Sequence, residues 1–183
     1  PDAVQMMRAF VKKRRLPDRS LFVETVKIDV KQIKSTFAEL AALLLGDTKQ
    51  AKSFMSKVKL TSMDDIEDDW WNLYEKLQSK GRAVELSLKI ELEDFLYHVQ
   101  KLIRNNSLDT SENLTIDTAA FDDSQCIGDW CAHFNSTWKN HKLVGMDIGT
   151  DSLVLMVLSN EEFKRAQELA KELLHRIDVA ERL

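Results

Sequence analysis

Glycine and proline are scarce, with 5 and 2 residues in a chain of 183. That scarcity excludes a collagen-like repeat and a disordered linker, and it argues against a strand-dense sandwich, whose many turns draw on both residue types. Cysteine occurs twice, at Cys126 and Cys131, too few for a disulfide framework and consistent with a reducing compartment. On one helix the two would lie about 140° apart, so they cannot chelate one zinc ion together. No apolar run approaches the roughly 18–20 residues that a helix needs to cross a bilayer, and the N-terminal residues lack a signal-type apolar core. The expectation is a soluble, cytoplasmic protein. Phosphate-binding glycine loops, nucleophile elbows, H-E-x-x-H pairs and EF-hand loops are all missing. The chain therefore reads as non-catalytic, with no cofactor and no bound metal.

What is there is ordinary for one folded unit: 44% hydrophobic and 31% charged residues, enough to bury a single core. Apolar residues at Val30, Ile33, Phe37, Leu40, Ala41 and Leu44 recur at helical spacing after Asp29 and stop at Gly46. A shorter helix is predicted over 48–58. Ile66, Trp70, Leu73 and Leu77 define another that ends at Gly81, and Trp71 and Tyr74 widen its stripe. Val84, Leu86, Leu88 and Ile90 then alternate with polar residues, the period of a half-buried strand. Helical spacing returns at Leu92, Phe95, Leu96, Val99, Leu102 and Ile103. Phe121, Ile127, Trp130, Cys131, Phe134 and Trp138 predict an aromatic-rich helix. Two apolar runs around the loop 149–152 predict a hairpin whose second strand, LVLMVL, is apolar on both faces and so covered on both. Ser159 with Glu162 starts a last helix whose inward residues run from Phe163 through Leu173 to Ile177.

The fold class is therefore α+β, a helix-rich single domain with a small, mainly antiparallel sheet whose strands fall near 21–28, 82–90, 143–149 and 152–158. Residues 1–20 form a basic arm or short helix, residues 21–183 the domain, and a polar loop lies near 105–118.

Charge is divided unevenly along the chain. Residues 1–60 hold 13 Lys/Arg against 6 Asp/Glu, and residues 61–183 hold 13 against 24. The densest acidic run is Asp64, Asp65, Glu67, Asp68 and Asp69, with Asp122 and Asp123 in a second stretch that contains no Lys or Arg. Such density repels nucleic acid and attracts a basic surface. The four cations at 12–15 have no interleaved aromatic series and no reader motif, so neither nucleic acid nor membrane is expected as a partner.

The expected function is that of a protein-binding domain whose carboxylates imitate phosphates toward a basic partner. One form is a bacterial immunity protein that neutralises a nuclease-like toxin. Asp64, Asp65, Glu67, Asp68, Asp69, Trp71, Asp122 and Asp123 are the candidate partner-binding residues, with Trp71 as the aromatic anchor. The alternative is a small enzyme or ligand-binding domain with a pocket near the 143–158 hairpin. It would use Asp147 and Asp151 together with Asp129 and His133, whose i, i+4 spacing can hold an imidazole in one orientation. Glu85 could join Asp147 and Asp151 across the sheet.

The segments AVELSLKIELEDFLYHVQKLI (83–103) and WKNHKLVGMDIGTDSLVLMVLSNEEFKRAQELAKEL (138–173) resemble a bacterial family known as a domain of unknown function. Its members carry an Ala/Tyr-Glu-Leu-Asp-Trp-Lys strand leading into a helix and a later Gly-Ser-Asp-Ser-Tyr hairpin. Glu85, Leu86, Lys89, Gly149, Asp151 and Ser152 match, whereas Ser87, Leu88 and Leu153 stand where the family has Asp, Trp and Tyr. The resemblance covers roughly the C-terminal 100 residues and implies an α+β fold, with no activity to carry over.

Overall fold

A computed structural model describes residues 29–60, 63–106, 114 and 116–183. The arm at 1–20 and the strand predicted at 21–28 lie outside these residues, as do 107–113 and 115 within the predicted polar loop.

Helix α1 (Val30–Leu45) begins where the Asp29 carboxylate accepts from the backbone N–H groups of Lys31 and Gln32, at 3.0 and 3.2 Å. It stops at Gly46, whose φ of 62° is open to glycine at little cost. Helix α2 (Thr48–Met55) is capped in the same way by Asp47, and α3 spans Met63–Ser79. Strand β1 (Val84–Ser87), helix α4 (Leu92–Asn105), a 3-10 turn at Thr118–Ala120 and helix α5 (Ile127–Thr137) follow. The hairpin strands are β2 (His141–Met146) and β3 (Ser152–Ser159). Helix α6 (Asn160–Glu172) starts from a Ser159/Glu162 capping box and leads to β4 (Ile177–Val179).

The four strands form one antiparallel sheet in the order β1-β3-β2-β4. Alternation along β3 divides the interior in two. Val154, Met156 and Leu158 point into one core with Val144, Met146 and residues of α1, α2, α3 and α6. Leu153, Leu155 and Val157 point into a second core with Leu86, Leu143 and the aromatics of α4 and α5. Helices thus cover both faces of the sheet, which is why β3 is apolar from Leu153 to Leu158. The molecule is an α+β single domain of three layers. Among the described residues no helix is long and apolar enough to cross a membrane.

Several boundaries differ from the sequence expectation. Strand β1 ends at Ser87, because Ile90 N–H donates to Ser87 O and Lys89 N–H to Ser87 Oγ in a turn that leaves Leu88 56% exposed. The alternation beyond Ser87 is a coincidence of composition. Ile177 is not on the last helix. The chain leaves α6 at Glu172 and turns through Leu174, at φ 61°, with His175 N–H donating to Ala170 O at 2.9 Å. Ile177 then reaches the same core from β4, opposite Met146. Its four-residue spacing from Leu173 mimicked one helical turn. Phe121 and Trp138 flank α5 and still pack against Phe134, with ring centroids 5.0 and 4.9 Å away.

Candidate functional site

The two motif segments meet at the hairpin end of the sheet. Glu85 on β1 is in register with Val154, two residues along β3 from Ser152, so both side chains share the face toward α3. There Ser152 Oγ–H donates to Glu85 Oε1, and Tyr74 Oη–H donates to Glu85 Oε2 at 2.6 Å. Thr150 Oγ1 lies 2.6 Å from Ser152 Oγ and extends the chain into the hairpin loop. The Ser152 bond first, and the Tyr74 bond second, hold the Glu85 carboxyl below its usual range. Burial and the adjoining Glu85 push the Tyr74 phenol well above its ordinary value, so it remains a hydrogen-bond donor.

A second clamp lies one turn back on α3. Trp70 Nε1–H donates to the backbone oxygen of Asp147 at 2.7 Å, and its indole stacks on His175 at 4.2 Å with the rings 7° from parallel. Asp147 N–H in turn donates to Arg176 O at 3.0 Å. Burial lowers the His175 pKa against the opposing pull of Glu67 and Asp147. The imidazole is therefore an uncharged stacking partner near neutrality.

Between these clamps, α3 turns its remaining face outward. Glu67, Asp68 and Glu75 are exposed, and Trp71 among them is 40% exposed. Trp71 does not hang free. Its Nε1–H donates to Glu75 Oε1 at 3.2 Å, and its ring meets Tyr74 edge-on at 5.4 Å. The order of support runs from Ser152 and Glu85 to Tyr74 and then to Trp71. Residues matching the family motifs thus connect through Tyr74 to an exposed indole flanked by carboxylates.

The other candidate partner-binding residues are not all on this face. Asp64 and Asp65 occupy the first turns of α3, and Asp65 is half-buried with a partner of its own. Asp69 is 7% exposed and has turned inward. Burial raises its pKa, opposed by Asn72 and by the backbone N–H groups of Lys59 and Leu60. Asp122 and Asp123 precede α5, and Trp130 Nε1–H ties the backbone oxygen of Asp122 to the second core. They belong to the opposite layer of the sheet from α3, so the acidic segments do not form one patch. Asp122 is occupied as a turn cap for Ser124, which lowers its pKa.

Three of the four residues of the alternative pocket are engaged locally. Asp129 accepts from the N–H and the thiol of Cys126, at 3.1 and 3.2 Å, while His133 meets the ring of Phe121 at 4.7 Å. The expected Asp129–His133 pairing is replaced by these contacts. Asp147 caps its own turn through Gly149 N–H at 2.9 Å, and Asp151 is exposed at the hairpin tip. Glu85 pairs with Tyr74 and Ser152 in place of Asp147 and Asp151. Among the described residues no group of three or more His, Cys, Asp or Glu side chains is arranged to hold a metal ion. Of the two thiols, Cys126 is exposed, whereas Cys131 is buried and its pKa is raised well above the ordinary thiol range, chiefly by desolvation. Cys131 is a packing residue.

Sequence reasoning missed Tyr74 as the partner of Glu85, Glu75 as the partner of Trp71, and the His175 stack. Only the Trp71–Glu75 pair carried a local signal, its i, i+4 spacing. The other two depend on the turn after α3 and the reversal after α6.

Helices on both faces of one four-stranded antiparallel sheet define a small α+β domain. A family model, described as a domain of unknown function (DUF6630), matches residues 36–180, and the chain belongs to that family. No curated protein and no solved structure matches the chain.

Proposed function

We propose that the protein is a non-catalytic binding domain that engages a basic protein partner through the outer face of α3. The observation that carries this reading is Trp71, an exposed indole held by Glu75 and Tyr74 among the exposed carboxylates Glu67, Asp68 and Glu75. An aromatic that is already ordered loses little conformational entropy on binding and is suited to be a buried anchor. The surrounding carboxylates steer Lys/Arg-rich surfaces toward it and accept hydrogen bonds from them. A nuclease-like toxin domain, whose cleft is basic because it must hold phosphates, is one partner of this chemistry. With it the protein would act as an immunity protein.

The test is affinity capture on the full chain, run in parallel on Trp71→Ala and on Glu67→Lys with Asp68→Lys. A basic protein retained by the original chain is then purified, and its association is measured against salt. The expected result is loss of capture on both variants, with slower association and a shallower salt dependence for the charge reversal. Capture that is equal on all three, or association indifferent to salt, overturns the reading. Inhibition of the captured protein's nuclease activity supports the immunity form, and a partner without such activity removes that form alone.

A further inference from the structure

We infer that, without an outside partner, the outer face of α3 is occupied by the chain's own basic segment, residues 8–19. The inference rests on the reading of that face as a docking surface for basic proteins and names what competes for it. Residues 8–19 carry 6 Lys/Arg, with Lys12, Lys13, Arg14 and Arg15 consecutive, against the single carboxylate of Asp18. The face offers the complement. Glu67 and Asp68 are exposed and make no ion pair among the described residues. Glu75, also exposed, accepts from Trp71 through one oxygen only, Oε1. Between these carboxylates the exposed ring of Trp71 is a surface on which a guanidinium stacks.

The place where the segment joins the domain is favourable. Thr36 bonds Glu172 and Glu39 bonds Arg165, so α1 and α6 run antiparallel and the start of α1 lies beside the end of α6. Just past that end, His175 stacks on Trp70 of α3, close enough to Glu67 for that carboxylate to act on its charge. Asp29, at the start of α1, therefore stands at the end of the molecule where α3 exposes Glu67 and Asp68. The stretch from Arg15 to Asp29 spans up to about 45 Å when extended, against a radius of gyration of about 15 Å for a domain of this size. Reach does not limit the contact. Tethering holds the segment at an effective concentration on the order of 1 mM, so even a weak contact between six cations and this face is largely made. An outside basic partner must displace it, and its apparent affinity falls accordingly.

The experiment is an NMR titration with a synthetic peptide of residues 8–19, run on the full chain and on the full chain with Lys12→Gln, Lys13→Gln, Arg14→Gln and Arg15→Gln. These substitutions lie outside the cores described above, so the folded domain is retained in both. Peptide should shift the amides of Glu67, Asp68 and Glu75 and the indole N–H of Trp71 in the Gln-substituted chain, saturably and less at high salt. It should bind the original chain about five-fold more weakly, because the tethered segment already holds the face. Without peptide, the two chains should differ at these same signals, and the difference should be independent of protein concentration. Equal peptide affinity for the two chains overturns the inference and leaves the docking reading intact. Peptide shifts away from α3 in both chains overturn the inference, and the reading is then decided by its own capture test. A difference that grows with protein concentration overturns the intramolecular contact in favour of one between copies.

Discussion

Glu85 and Asp69 stand on opposite sides of the same helix and make opposite bargains with water. Glu85, on the hairpin side, is exposed, yet both of its oxygens are served by hydroxyl donors, and its pKa falls. Asp69, on the α2 side, is buried with one oxygen unserved, and its pKa rises. Donors aimed at the charged form decide the first case and desolvation decides the second. The hairpin side meets its carboxylate with two hydroxyl donors, whereas on the α2 side burial outweighs the Asn72, Lys59 and Leu60 donors.

The largest test of this contrast is Trp70→Ala, which removes a buried indole, its bond to Asp147 and the His175 stack together. A loss of about 3–5 kcal/mol in urea-induced unfolding is expected, since cavity formation adds to the lost transfer energy. A loss under about 1 kcal/mol would mean that the hairpin end is not anchored through α3.

Tyr74→Phe deletes one of the two donors to Glu85. It should cost about 1–2 kcal/mol, and it should couple non-additively with Ser152→Ala in a double-mutant cycle, because both hydroxyls serve one carboxylate. Additive effects would separate the two bonds. Trp71 fluorescence should also shift in Tyr74→Phe if the phenol braces the indole.

The pH dependence sharpens the comparison. Because the folded-state pKa of Glu85 lies below 4.5, its stabilising contribution is present above 4.5 and is lost as pH falls through the folded value. Glu85→Gln should therefore flatten the acid limb of the stability curve below about 4.5. Asp69 has the reverse sign. Its raised pKa makes folding more favourable when it is protonated, and stability declines as pH climbs from 3.8 toward the folded value. Asp69→Asn should remove that decline and change stability at neutral pH by no more than about 1 kcal/mol. A large loss at neutral pH would show that the carboxylate is fully satisfied after all.

The smallest effect is expected at Arg165, whose guanidinium makes two bonds to Glu39 at 2.6 and 2.9 Å between α6 and α1. Both side chains are about half exposed, so Arg165→Gln should lower the urea midpoint only slightly, and by less in high salt.

Much of the fold was legible because it rests on local rules. Asp29 and Ser159 announce helix starts, Gly46 announces a stop, and the two-sided apolarity of residues 153–158 requires a covered strand. The short edge strand at Ile177 was not legible, since one helical turn and one chain reversal can deliver the same residue to the same core. The acidic run was legible as composition only. Helical geometry sends Glu67 and Asp68 outward and Asp69 inward within three consecutive positions, and the sheet separates all of them from Asp122 and Asp123.

The amino-acid order alone determined the helices and the central strands, β4 excepted, and that both faces of residues 153–158 are dry, because periodicity and capping act over a few residues. Which polar groups meet was decided by tertiary structure. Tyr74 reaches Glu85 across 11 positions, and Ser152 reaches it across 67. A carboxylate's partners and its access to water are properties of the space around it, and strand register and the hand of the connecting turns fill that space only once the layers have closed.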